Sequence, residues 1–168
     1  MGASSQLKAR LGLLSLAVLV LDQWTKHLAE SSLHGRPPVT LVPGFLDLVH
    51  VENTGVAFGL FAAGSSTMGV LALTLLGMIA LGLVLYYFLR TPESNRVVLV
   101  SLALILGGAI GNLVDRVMSG SVTDFIDAYV GTHHWPTFNA ADSAITVGIV
   151  LLSIDALWMQ RPVEPSEP

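Results

Sequence analysis

The sequence predicts an integral membrane α-helical protein, with four transmembrane helices and a small extracytoplasmic β-sheet cradled at the outer interface. Three observations carry that expectation. The chain of 168 residues is 52% hydrophobic and only 12% charged, with a mean hydropathy of +0.69, which is too apolar for a soluble domain. Four stretches, at about 11–29, 68–89, 97–118 and 140–158, approach the roughly 20 helical residues that a hydrocarbon core of about 30 Å requires. At about 35–61 and 120–137 the texture changes to turn residues and period-two alternation, the pattern of short strands. Residues 1–168 read as a single membrane domain.

Each element has its own signal. The first stretch follows Lys8 and Arg10 as a signal peptide would, but Asp22-Gln-Trp-Thr-Lys26 stands where a cleavage site needs small residues. An uncleaved helix is therefore expected. Residues 35–61 hold Pro37, Pro38 and Pro43, then the alternating Leu46-Asp-Leu-Val-His-Val51, then Asn53-Thr-Gly55, which on its own is an ordinary turn. The second stretch carries no charge and ends on Tyr86 and Tyr87 just before Arg90, as an interfacial aromatic belt predicts. The third contains Gly107-Gly-Ala-Ile-Gly111, a small-xxx-small pattern that includes Gly108 and suits close helix packing. Val122 to Ile126 alternates and suits a strand or a helix extension. Any such sheet must lie at or above the interface, because open edges are not tolerated in lipid. The tail from Pro162 to Pro168 is expected to be disordered.

Lys8, Arg10, Arg90, Arg96 and Arg161 fall on one side of a four-span arrangement. By the positive-inside rule that side is the cytoplasm. Both termini are then cytoplasmic, in a bacterial inner membrane. A net charge of −4 with eight Lys and Arg offers no basic surface, so nucleic acid is not an expected partner. The absence of cysteine excludes disulfides, thiolate nucleophiles and Cys-ligated zinc. His133 and His134 are adjacent, which rarely lets both reach one ion, so a solvated loop, no metal and no cofactor are expected there.

This topology places two aspartates at the outer mouth: Asp124 in Gly120-Ser-Val-Thr-Asp-Phe-Ile126 and Asp142 in Phe138-Asn-Ala-Ala-Asp-Ser-Ala-Ile145. Ionisable groups near hydrocarbon are rare and functional by default. A paired carboxylate can share one proton, leaving one member to activate water and the other to donate, which points to a membrane aspartyl hydrolase. Each residue also has a plainer reading. Asn139 and Asp142 have the spacing of a helix N-cap and its third residue. If Asn139 caps that helix, its amides favour the ionised form of Asp142, which makes Asp142 the base and Asp124 the proton-bearing partner. Arg116, four residues before Gly120, could simply complement a helix C-terminus, although Asn112 lies one turn below it on the same face. Asp22 and Lys26, four apart, can pair with each other. A small proton-coupled carrier using the carboxylates as a relay, and a non-catalytic assembly subunit, are the competing readings.

Asp22-Gln-Trp-Thr-Lys26, Asn53-Thr-Gly-Val-Ala-Phe58, Gly107-Gly-Ala-Ile-Gly-Asn112, Asp115-Arg116, Val122-Thr-Asp-Phe-Ile126 and Phe138 to Ile145 together resemble the motif series of bacterial lipoprotein signal peptidase, or signal peptidase II. The order and spacing match from about residue 10 to 158. Val56 and Ile110, where Ala and Leu are common, are apolar swaps. The resemblance implies a four-helix membrane aspartic endopeptidase that removes the signal peptide from diacylglyceryl prolipoproteins, just before the lipidated cysteine. It implies catalytic aspartates at Asp124 and Asp142 and site-lining residues at Asn53, Asn112, Arg116 and Asn139. A supporting role falls to Asp22 and Lys26, with Gly55 and Gly108 as backbone positions. The expected partners are prolipoproteins, membrane phospholipids and the inhibitor globomycin, with the chain acting as a monomer.

Overall fold

The computed structural model describes residues 3–55 and 67–159. The motif residues Val56 to Phe58, the basic flank at Arg161 and the tail from Pro162 lie outside them. The element order is α1 (Ala3–Leu33), β1 (Val39–Val42), β2 (Leu46–Asn53), α2 (Thr67–Arg90), α3 (Arg96–Met118), β3 (Val122–Val130), β4 (His133–His134) and α4 (Ala140–Met159).

Three of the helices are long and apolar enough to cross a membrane: Met68–Arg90 of α2, Arg96–Met118 of α3 and Ala140–Trp158 of α4. The 31-residue α1 is long enough, but the polar stretch from Asp22 to His27 dilutes its C-terminal half. Helix α3 is central and packs against α1, α2 and α4. Glycine sets how closely it does so. A Cβ on Gly108 would stand 2.5 Å from the Ala141 carbonyl oxygen, and one on Gly107 2.6 Å from that of Ser15. Ser15 Oγ also donates to Ala103 O at 2.8 Å, joining α1 to α3.

At one end of the bundle Leu11, Phe88, Leu99, Leu102, Ala103 and Leu106 form a buried apolar cluster. Lys8 Nζ there donates to Leu89 O at 2.6 Å, so the start of α1 and the end of α2 share that end. By contrast α2 exposes Met68, Leu71, Leu75, Leu76, Ile79 and Leu83, an apolar face suited to lipid.

The four strands form an antiparallel sheet in the order β1-β2-β3-β4. Val51 lies opposite Asp124, Glu52 opposite Thr123 and Asn53 opposite Val122, with a register shift between Leu48 and Val51. Residues 122–126 are thus strand rather than helix extension. Gly120, at φ 76°, occupies the left-handed region where α3 stops, a conformation glycine adopts without strain. His133 and His134 are exposed, but they pair with Tyr129 and Val130 as β4 instead of forming a loop. His134 stacks on Tyr129 and bonds Asp127 at 2.9 Å. The sheet is anchored on α1 by Ala29, Leu33 and Phe125, with Leu48 and Ile126 packed against them.

Gly108→Val should lower the unfolding temperature in detergent, because its side chain must displace α4 backbone, an overpacking cost of about 1–3 kcal/mol. Gly77→Ala, where a Cβ meets nothing within 4 Å, should leave that temperature unchanged or raise it.

Candidate active site

The site begins at the N-terminus of α4, where free backbone amides need acceptors. Asn139 Oδ1 accepts from the Asp142 amide at 2.9 Å, and Asp142 Oδ2 accepts in return from the Asn139 amide at 3.3 Å. This reciprocal pair is a capping box built from Asn and Asp. The Ala141 amide is taken by Asp22 Oδ1, from α1, at 2.9 Å. The cap and the candidate catalytic residue are therefore one structure, and the two readings of Asp142 are compatible.

The capping asparagine also reaches the second aspartate. Asn139 Nδ2 donates to Asp124 Oδ1 at 2.8 Å and, at longer range, to Asn112 Oδ1 at 3.2 Å and Thr123 O at 3.3 Å. Asn53 Nδ2 donates to the other oxygen of Asp124 at 2.9 Å, while Asn53 Oδ1 accepts from Gly55 N at 2.8 Å. That second bond is an Asx turn, and Gly55 at φ 86° supplies the left-handed backbone it uses. Asn112, on α3, donates through Nδ2 to Asp142 Oδ1 at 2.7 Å. Each aspartate is thus held by two residues from different elements, and Asn112 and Asn139 link them.

Beneath this layer lies a buried cation. Lys26 Nζ stands 2.8 Å from Asp22 Oδ2 and 2.8 Å from Asp115 Oδ2, and donates to Asn112 Oδ1 at 2.8 Å. Its three donors therefore have three acceptors. Gln23 Nε2 donates to Asp115 Oδ1 at 2.8 Å and Asp115 Oδ2 accepts from Thr123 N at 3.3 Å. A Cβ on Gly111 would collide with the Asp22 carboxylate, so α1 can approach α3 this closely only over glycine. Arg116 Nη1 donates to Asn112 O at 3.3 Å. Among the described residues it bonds neither Asp124 nor Asp142, and it stands beside the network.

The electrostatics separate Asp124 from an ordinary carboxylate. Only 1% of its surface is exposed, and burial holds its carboxyl above the usual carboxylate value, the nearby Asp142 charge adding to this. The hydrogen bonds from Asn53 and Asn139 and the charge of Lys26 pull the other way without cancelling it. Asp142 borders an open apolar cleft of about 570 Å³ lined also by Trp135, Phe138, Thr146 and Val147. A carboxyl with a raised pKa and a second carboxyl group beside an apolar cleft can activate water against a bound carbonyl.

Two contributors fall inside the sequence motifs but have no assigned role there. Asp115 is visible as an acid three residues after Asn112, hence on its face, but nothing in the sequence pairs it with Lys26. Gln23 bridges α1 and α3, and its place between Asp22 and Lys26 does not reveal that contact.

A family model described as signal peptidase (SPase) II matches residues 14–158. The chain belongs to the signal peptidase II family. The lipoprotein signal peptidase of Syntrophus aciditrophicus (strain SB) is 40% identical over 144 residues, covering 86% of this chain and 89% of that protein. Its counterpart in Acinetobacter baumannii (strain ATCC 17978) is 42% identical over 148 residues, covering 88% and 83%. A bacterial membrane enzyme solved by the in meso method at 1.9 Å superposes with a TM-score of 0.77 at 30% identity, covering 89% of this chain and 93% of that one. As a member of this family the chain is a membrane-embedded protease, which disposes of the carrier and assembly-subunit readings.

Lys26→Met should destabilise the fold by about 3–5 kcal/mol, because Asp22 and Asp115 would be left buried without their cation. Denaturant unfolding in detergent measures this, and wild-type stability in the variant would show that the cation is dispensable.

Proposed function

We propose that this protein removes the signal peptide from diacylglyceryl-modified prolipoproteins, cleaving just before the lipidated cysteine, with Asp124 and Asp142 as its catalytic pair. The observation that carries the proposal is the hydrogen-bonded layer in which Asn112 and Asn139 link the two carboxylates beside the apolar cleft. The acyl chains would hold the substrate cysteine at the membrane surface. Asp142 lies in the first turn of α4, about 4.5 Å along the axis from the capping Asn139, so the dyad and the scissile bond meet at similar depth. That positioning reduces the entropic cost of reaction.

In this mechanism Asp142, at the capped helix N-terminus, takes a proton from the attacking water. Asp124, whose pKa burial raises, is the proton-bearing partner in this mechanism and donates a hydrogen bond to the carbonyl oxygen. The tetrahedral intermediate collapses as the dyad protonates the leaving amine. Asn53, Asn112 and Asn139 orient the carboxylates, Arg116 would hold the peptide, and globomycin would occupy the same place. The reaction requires no metal or cofactor, and a monomer suffices because all these residues come from one chain.

The proposed topology has four spans, with α1 added to the three apolar helices. Lys26 and Asp22 are buried against protein, so the ion pair of α1 does not face lipid. Lys8 beside the end of α2 groups the basic flanks at one end, which supports cytoplasmic termini, an inner-membrane location and an active site at the outer face. Reporter fusions should place residues 91–95 in the cytoplasm and residues 35–38 outside; an external 91–95 loop would overturn this orientation.

Asp124→Asn and Asp142→Asn should each lower cleavage of a lipidated prolipoprotein by at least about 10²- to 10⁴-fold while preserving folding. Near-wild-type turnover in either would remove that residue from catalysis. The pH dependence has a definite sign. If Asp124 acts in its protonated form, activity falls as pH rises through its ionisation. The Asn53 bond favours the charged form, so Asn53→Ala should keep the proton on Asp124 to higher pH. The basic limb of kcat/KM should then move upward, and a downward move would reverse the assigned roles.

A further inference from the structure

We propose that His34, His50 and Glu52 form a binding site for a borderline transition-metal dication of the Zn²⁺ class, separate from the catalytic pair. Their ligand atoms all lie within 4.8 Å of one another, and the two imidazole rings meet edge to face with centroids 4.9 Å apart. Donors at about 2.1 Å around a tetrahedral ion are themselves about 3.4 Å apart, so small side-chain rotations close the site. Two imidazoles and one carboxylate form a His₂Glu set with room for water in a fourth position, a set that suits Zn²⁺ and its neighbours rather than Ca²⁺ or Mg²⁺.

The donors sit on rigid, separately positioned elements. His50 and Glu52 are two apart on β2, so their side chains leave the same face. Glu52 lies opposite Thr123, whereas Asp124 lies opposite Val51, which puts the cluster on the other face of the ribbon from the dyad. His34 directly follows α1, its amide bonded to Glu30 O at 3.2 Å, and Gly35 at φ 67° turns the chain away. Leu33, the residue before it, is buried against Phe125 and Leu48, so the end of α1 is already docked on β2. His50 and Glu52 also border a polar cavity of about 380 Å³ with His27 and Glu30, which offers an ion and its waters a path from solvent. His34 and Glu52 are exposed and His50 half-buried, so an ion can reach the donors from solvent. A bound ion would tie α1 to β2 one residue before Asn53, the residue that holds Asp124.

The test is Zn²⁺ binding by the untagged full-length protein in detergent, measured by titration calorimetry near pH 7, with unfolding temperature recorded with and without the ion. The expected result is one equivalent of Zn²⁺ bound and a raised unfolding temperature, as for any ligand selective for the folded state. His34→Ala, His50→Ala and Glu52→Gln should each lower the affinity by at least about tenfold, while His27→Ala and His133→Ala should not. All five sites are at least partly exposed, and Glu52→Gln preserves shape, so loss of binding can be separated from loss of fold. Absence of binding by the wild type, or undiminished affinity in the His34, His50 and Glu52 variants, would overturn the proposal.

Discussion

The buried ammonium of Lys26 is the interaction on which the rest of the site depends. It lies where α1, α3 and the start of α4 converge, and all three of its acceptors have a second task. Asp22 also holds the Ala141 amide of α4, Asp115 also holds the Thr123 amide of β3, and Asn112 also donates to Asp142. One cation therefore sets the position of the fourth helix, of the strand that carries Asp124, and of the amide that orients Asp142. A buried ion pair of this kind is weak evidence for stability, since desolvation offsets much of the attraction. Its value here is geometric, because each acceptor is drawn to one point and the groups behind it follow.

Packing makes that convergence possible. Gly107, Gly108 and Gly111 present bare backbone to α1 and α4, and only at that distance can Asp22 span from α1 to the Ala141 amide of α4. The small residues and the polar layer are therefore parts of a single device: close approach without the polar layer would bury unsatisfied amides, and the polar layer without close approach would not reach. The same logic explains how α1 carries charges in a membrane-type bundle. Its Asp22 and Lys26 are satisfied inside the protein instead of being presented to lipid.

Much of this was legible in the sequence, for identifiable reasons. The apolar runs of α2, α3 and α4 stand out because lipid-facing helices cannot afford charge, and α2 is the clearest because so much of it is exposed. The i,i+4 spacing of Asp22 and Lys26 and the cap spacing of Asn139 and Asp142 are local, and local spacing survives into structure. What was hidden is long-range. Nothing in the order of residues says that Lys26 reaches Asp115, that Gln23 bridges two helices, or that one asparagine caps α4 while holding Asp124. His34, His50 and Glu52 escaped notice for the same reason, because a helix end and a strand meet only in the fold. His133 and His134 misled in the opposite sense, their adjacency suggesting a loop where tertiary pairing with Tyr129 and Val130 made a short strand.

The central claim is the proposed division of roles within the pair, in which Asp124, whose pKa burial raises, is the proton-bearing member. Infrared-monitored titration of the carboxyl bands in the purified protein tests it most directly, comparing wild type with Asp124→Asn and Asp142→Asn. The account predicts that the protonated-carboxyl band persisting to the highest pH is missing from Asp124→Asn. Its survival there, with loss in Asp142→Asn instead, would contradict the account.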